Sequence, residues 1–188
     1  MALIPTFRLG LWNAWIPMMI FVLIPFLATV LYPDMSKKMR HPFDMKMIPI
    51  VKRMDSLYSF LFPMAMICSI FLPLQIGTLW FIFGIAIYSL GMVVMVAALR
   101  SFANAEVDEI VTSGIYKYSR HPMYLSLFLG LSGIGLASGS WIFLLISFVI
   151  FGIANIIAAH EENYRREKHG VEYYEYSRRT PRWLGFPK

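Results

Sequence analysis

The sequence has a single cysteine, Cys68, and few charged residues. One thiol excludes an intramolecular disulfide and any metal site built from several cysteines. Charged residues make up 15% of the 188 residues, whereas soluble domains carry about 25%. Hydrophobic residues make up 58% of the chain. This composition argues against a soluble globular domain and predicts an integral membrane protein.

Acidic residues are outnumbered by basic ones, with 11 Asp and Glu against 17 Lys and Arg and a net charge of +6. Basic residues that flank apolar segments are attracted to anionic lipid headgroups. No basic stripe interleaved with aromatic residues lies outside those flanking segments. We therefore expect a lipid bilayer as a partner and no nucleic acid.

Five apolar runs account for most of the hydrophobic residues. A helix needs roughly 20 mostly apolar residues to cross the bilayer core, and in lipid the backbone must be hydrogen-bonded within the segment, which favours helices. The sequence predicts an all-α polytopic bundle of about five transmembrane helices in a single domain, 1–188. The N-terminal part, 1–103, would hold three helices, and 104–188 would hold a cofactor-binding hairpin and the C-terminal tail. The predicted spans are 12–32, 57–74, 79–99, 122–136 and 141–159.

The placement of charge predicts the orientation of these helices. Nearly all lysines and arginines fall in 33–56, 100–121 and 160–188, whereas the short turns at 75–78 and 137–140 carry no charge. Five helices would place the three charged segments on one side, and cytosolic loops collect Lys and Arg. We predict an N-terminus outside, a C-terminus in the cytosol and an active site on the cytosolic face.

A first polar motif leads directly into the fourth predicted helix. It reads SGIYKYSRHPMY, ends at Tyr124, and places Tyr116, Arg120 and His121 before Pro122. Each residue alone fits a membrane interface, where Arg and His extend to water, tyrosines form a belt and proline begins a helix. The whole set also fits a binding site, because a helix N-terminus suits an anionic ligand group.

A second polar motif follows the fifth predicted helix. It reads EENYRREKHGVEYYEYSRR and begins with Glu161 and Glu162. One interpretation is a solvated helix face with a Glu161–Arg165 pair. The other is functional, because carboxylates at the exit of a membrane helix are costly if they enter lipid. The sequence leaves both open. It also predicts that the helix ends at Gly170 in a left-handed conformation, followed by a short surface helix over 171–178.

Together the motifs resemble those of the isoprenylcysteine carboxyl methyltransferase family and its phospholipid methyltransferase relatives. The resemblance covers roughly residues 106–182, almost half of the chain. The first motif matches at Gly114, Tyr116, Arg120, His121, Pro122 and Tyr124, and the second at Glu161, Glu162, Gly170, Tyr173 or Tyr174, Tyr176 and Pro181.

This resemblance implies a small helical membrane enzyme that uses S-adenosylmethionine to methylate a lipophilic substrate, such as an isoprenylcysteine carboxylate or a phospholipid. The cofactor would lie between the last two membrane helices and the tail. Of the catalytic candidates, Arg120 would orient an anionic acceptor, and Glu162 would remove a proton from an amine acceptor. The implied cofactor-binding residues are Asp108, Glu109, Ile110, Val111, Tyr116, His121, Pro122, Met123, Tyr124 and Glu161.

The chemistry of the cofactor fits these residue types. His121 and the first amides of the fourth helix would hold its carboxylate, and Glu161 would accept hydrogen bonds from its ribose or ammonium. Tyr116 and Tyr124 would shield the adenosyl group and face the sulfonium through a cation–π contact.

Two other functions fit the same sequence. Sterol and steroid reductases resemble this family over the C-terminal motifs and use NADPH, although they are usually longer. A non-enzymatic membrane scaffold would need only the hydrophobic bundle. The glycines Gly133, Gly135 and Gly139 loosely resemble a dinucleotide loop, but in a membrane span small residues more often let helices approach closely. The histidine spacing does not assemble a zinc site, so no metal is expected.

Overall fold

Five α-helices dominate the part of the chain that the structure describes. The computed structural model describes residues 8–32, 34–35, 45–105 and 109–187, and these ranges contain helices and no strand. The predicted all-α class is therefore confirmed. The helices are α1 (Trp15–Leu31), α2 (Pro49–Ser69), α3 (Leu79–Ala103), a short 3-10 helix (Gly114–Lys117), α4 (Pro122–Ala137) and α5 (Trp141–Arg179).

The helices differ in how well they suit a bilayer. Helices α3 and α5 are long and apolar enough to cross a membrane, whereas α1 and α4 are apolar but shorter. Helix α2 begins at Pro49 rather than at residue 57, and its first two turns carry Lys52, Arg53 and Asp55. This helix overlaps the predicted membrane span 57–74 and ends at Ser69; it starts earlier because proline suits the first helical turn and charged residues extend the helix beyond its apolar part. Five membrane spans remain a prediction.

The two short uncharged turns lie together at one end of the bundle. The Gln75 N–H donates to the Ala137 carbonyl at 2.9 Å. The Asn13 side chain, just before α1, donates to the Ile70 carbonyl at 2.7 Å. The start of α1, the α2–α3 connection and the α4–α5 turn therefore share this end.

The backbones of α3 and α4 contact each other through glycines. A Cβ placed on Gly133 would lie 2.5 Å from the Tyr88 nitrogen and 2.7 Å from the Gly84 carbonyl oxygen. A Cβ placed on Gly84 would in turn overlap the backbone of Ala137. Gly133 therefore serves close helix packing, as expected for small residues between apolar helices.

Substitution of Gly133 by alanine should destabilise this contact. We expect a loss of about 1–3 kcal/mol, because the added methyl group meets backbone that cannot rotate away. The measurement is the midpoint of thermal unfolding in detergent. The matched control is Gly152→Ala on α5, where a Cβ meets nothing within 4 Å. Equal midpoints for the two variants would contradict the proposed close contact.

Helix α5 is interrupted at Gly170. This residue has φ 56° and ψ −123°, so two helical segments meet there at a kink. The predicted helix end is confirmed, but the predicted left-handed conformation is not found, because φ is positive while ψ lies outside the left-handed helical region. The helical segment after Gly170 packs against other parts of the protein and not only against the membrane surface, because its Tyr173 side chain is 2% exposed.

Candidate functional site

A cavity of about 460 Å³ lies at the end of the bundle where the charged segments gather. Arg120, His121 and Tyr124 of the first motif and Glu161 of the second motif line it together. Its volume falls within the range of small-molecule sites, about 300–1,000 Å³. The predicted meeting of the two motifs around one cavity is therefore found in the structure.

Most of the predicted site residues line this cavity. Those proposed for the cofactor that do so are Ile110, Val111, Tyr116, His121, Pro122, Met123, Tyr124 and Glu161. Arg120, predicted to orient an acceptor, also lines it. Glu109 is exposed, and neither Glu109 nor Glu162 is part of the wall. Asp108 lies outside the described residues. The functional roles of all these residues remain predictions.

The His121 ring lies between the paired carboxylates. Its Nε2 is 3.1 Å from Glu162 Oε1, and its Nδ1 is 3.8 Å from Glu161 Oε2. The Tyr124 hydroxyl donates to Glu161 Oε1 at 3.0 Å. The two neighbouring glutamates thus contact the same imidazole from different sides, and only Glu161 reaches the cavity wall.

Glu162 is buried in a network of cationic side chains. Arg182 donates to both carboxylate oxygens, from Nε at 2.8 Å and from Nη2 at 2.9 Å, and Arg120 Nη1 lies 3.2 Å from Oε2. Burial opposes ionisation, but the hydrogen bonds from His121 and Arg182 and the charge of Arg120 outweigh it and lower the pKa of Glu162 to about 2. Such a carboxylate is a poor proton acceptor at neutral pH, so this geometry does not favour the predicted role of Glu162 as a base.

The tail beyond Gly170 closes the cavity on the side of the first motif. The Tyr176 hydroxyl donates to the Tyr116 carbonyl at 2.8 Å. The Arg120 N–H donates to the Pro181 carbonyl at 3.0 Å. These two hydrogen bonds join the tail to the first motif, although the two segments are far apart in sequence. Together the two segments form one wall of the cavity.

The first two helices also contribute to the cavity wall, which the sequence motifs did not indicate. Tyr58 and Phe62 of α2 line the cavity, and the Tyr58 ring meets the Tyr124 ring edge-on at 6.3 Å. The residues that α1 adds to the wall are Phe21, Val22 and Pro25. Aromatic residues four positions apart on an apolar helix give the same signal whether they face lipid, a core or a ligand.

Four residues in the C-terminal half of α5 were not among the predicted site residues. Tyr164, Arg165, Tyr173 and Tyr176 line the cavity. Burial raises the pKa of the Tyr173 and Tyr176 phenols, so both are neutral hydroxyls at neutral pH. Arg165 could have been found, since it lies one helical turn after Glu161 and shares its face.

The fold and the site together define a class: all-helical proteins whose apolar helices end at a cavity with polar and aromatic walls. The family model described as phospholipid methyltransferase matches residues 72–172, more than half of the chain. The chain belongs to the phospholipid methyltransferase family, which confirms the resemblance found in the motifs. The match includes His121 and both glutamates and ends just before Tyr173.

One curated relative is similar to part of this chain. The nickel-cobalt-cadmium resistance protein NccN of Alcaligenes xylosoxydans xylosoxydans is 31% identical over 80 residues, which is 43% of this chain and 37% of that protein. The chain thus spans little more than a third of the length of that relative.

Proposed function

We propose that the protein is a multi-pass membrane methyltransferase that uses S-adenosylmethionine and acts on a lipophilic substrate, such as a prenylated or phospholipid-like molecule. In this proposal five helices cross the bilayer and the cavity lies at the cytosolic face. One observation carries it: in a chain of this methyltransferase family, His121 and Glu161 form walls of one cavity. The name of the metal-resistance relative does not indicate which substrate this protein methylates.

The side chains around the cavity fit the chemical groups of this cofactor. Glu161 is a hydrogen-bond acceptor for a ribose hydroxyl or an ammonium group. Arg120 and Arg165 bring two guanidinium groups to the wall, and guanidinium binds carboxylates well. The rings of Tyr58 and Tyr124 supply faces for a sulfonium cation. When bound, the cofactor supplies an electrophilic methyl group.

The protein contributes mainly by positioning the reactants. Holding two reactants in line can account for a large part of the barrier of a displacement reaction. Buried walls exclude water, and the polar groups fix the orientation of whatever the cavity holds. Phe21, Val22 and Phe62 make the part of the wall near α1 and α2 apolar, which favours an acceptor with a hydrophobic chain.

Calorimetry on the purified protein tests this proposal against its alternatives. We expect binding of S-adenosylmethionine and no binding of NADPH at the same concentration. Binding of NADPH alone would support a reductase, and binding of neither would support a scaffold. Either result would overturn the proposed function.

A further inference from the structure

Arg182 and Trp183 surround His121 through three interactions, and both residues lie beyond the segment that the family model matches. The backbone N–H of His121 donates to the Arg182 carbonyl at 3.3 Å. The Trp183 ring lies 6.0 Å from the His121 ring. The Arg182 guanidinium holds Glu162 with two hydrogen bonds, and Glu162 contacts the imidazole.

This arrangement determines which ring nitrogen of His121 carries a proton. Glu162 is a carboxylate whose oxygens only accept hydrogen bonds, so Nε2, at 3.1 Å from Oε1, must donate. In a neutral imidazole the other nitrogen then has a free lone pair. Arg182 keeps Glu162 in place, because its two parallel hydrogen bonds fix the plane of the carboxylate.

The nitrogen with the lone pair is on the side of the cavity. His121 lines the cavity while Glu162 does not, and Nδ1 is the nitrogen nearer to Glu161, at 3.8 Å from Oε2. Titratable and charged groups around the ring are Glu161 and Glu162 of α5, Tyr124 of α4, Arg120 before it and Arg182 of the tail.

Resting on the proposed function, we propose that His121 accepts the proton of the methyl acceptor at Nδ1, and that Glu162 and Arg182 are positioning residues that act through it. The acceptor heteroatom uses its lone pair to form a bond to the methyl carbon. The carbon–sulfur bond breaks, and its electron pair neutralises the sulfonium. The proton on the acceptor heteroatom passes to the lone pair of Nδ1.

The acceptor class follows from this assignment. A proton acceptor is needed for an amine, a thiol or a hydroxyl group, whereas an ionised carboxylate has no proton to lose. After the transfer each nitrogen of the ring has a carboxylate oxygen nearby, Glu162 Oε1 at 3.1 Å from Nε2 and Glu161 Oε2 at 3.8 Å from Nδ1. His121, rather than Glu162, is therefore the group that takes the proton.

Nitrogen NMR of the full chain in detergent, with 15N-labelled histidine at neutral pH, tests the assignment directly. The His121→Gln spectrum identifies the His121 signals. In the unaltered protein we expect a protonated Nε2 and an unprotonated Nδ1. In Arg182→Gln we expect the two signals to shift toward each other as the tautomers mix, and in Arg182→Lys we expect a smaller shift. Arg179→Gln, which alters an exposed arginine paired with Glu175, should leave them unchanged.

A proton on Nδ1 in the unaltered protein would overturn the inference, whether or not any variant folds. Identical His121 signals in Arg182→Gln and Arg179→Gln would overturn the positioning role of Arg182. Calorimetry of the same samples with S-adenosylmethionine reports on the proposed function separately. If S-adenosylmethionine binds but Nδ1 is protonated, only the role of His121 is contradicted. If S-adenosylmethionine does not bind, the proposed function is contradicted together with the catalytic role that rests on it.

Discussion

Replacement of Glu162 by alanine is expected to destabilise the protein by about 3–5 kcal/mol, because removing one partner of a buried ionic network leaves the others uncompensated. Glu162 is 1% exposed, and Arg120 and Arg182 would lose their common anion. We expect a clearly lower midpoint of thermal unfolding in detergent.

The matched control is Glu175→Ala, farther along the same helix. Glu175 pairs with Arg179 at 3.3 Å, but both side chains are mostly exposed, and such surface pairs contribute about 0–1 kcal/mol. A Glu162→Ala midpoint no lower than that of Glu175→Ala would show that the buried Glu162 network contributes no more to stability than an exposed ion pair.

The same network predicts a dependence of stability on pH. The lowered pKa of Glu162 means that the folded protein favours its ionised form, so its contribution is fully present above the ordinary value of 4.5. This contribution is lost as the pH falls from 4.5 toward about 2, where the folded carboxyl takes up its proton. The difference between the unaltered protein and Glu162→Ala should therefore narrow over that window in unfolding experiments.

Replacement of Glu161 by alanine is expected to weaken binding of S-adenosylmethionine about 10- to 100-fold, because a hydrogen bond to a charged group contributes about 1.5–3 kcal/mol. Glu161 lines the cavity beside Tyr124, whereas Arg182 pairs with Glu162. The midpoint of unfolding should change much less than in Glu162→Ala. Calorimetry and thermal unfolding on the same preparation measure both effects.

Glu167→Ala is the control for this prediction. Glu167 lies on the same helix but is exposed and does not line the cavity. Its affinity for the cofactor should equal that of the unaltered protein. Equal affinities in Glu161→Ala and Glu167→Ala would remove Glu161 from the site.

Local signals predicted several features of the molecule. Apolar runs predicted the helices, because length and composition are properties of a continuous segment. Gly170 predicted the kink, because glycine tolerates positive φ. The motif residues predicted the meeting of His121 and Glu161, because a resemblance to a family includes the family's folded arrangement.

Other features depend on tertiary contacts, which the spacing of residues in the sequence does not predict. Neighbouring residues on a helix point about 100° apart, so Glu161 and Glu162 had to point in different directions, but their spacing did not indicate which one lines the cavity. The Arg182–Glu162 pair joins the segment after Thr180 to α5. The position of Tyr58 in the wall depends on how α2 packs, and no local signal reports that packing.

A structure determined with S-adenosylhomocysteine tests the central claim most directly. We expect the bound molecule to occupy the cavity, with the Glu161 carboxylate within hydrogen-bond distance of its ribose hydroxyls or its ammonium group. A molecule bound elsewhere on the protein, with the space between His121 and Glu161 left to solvent, would contradict the account.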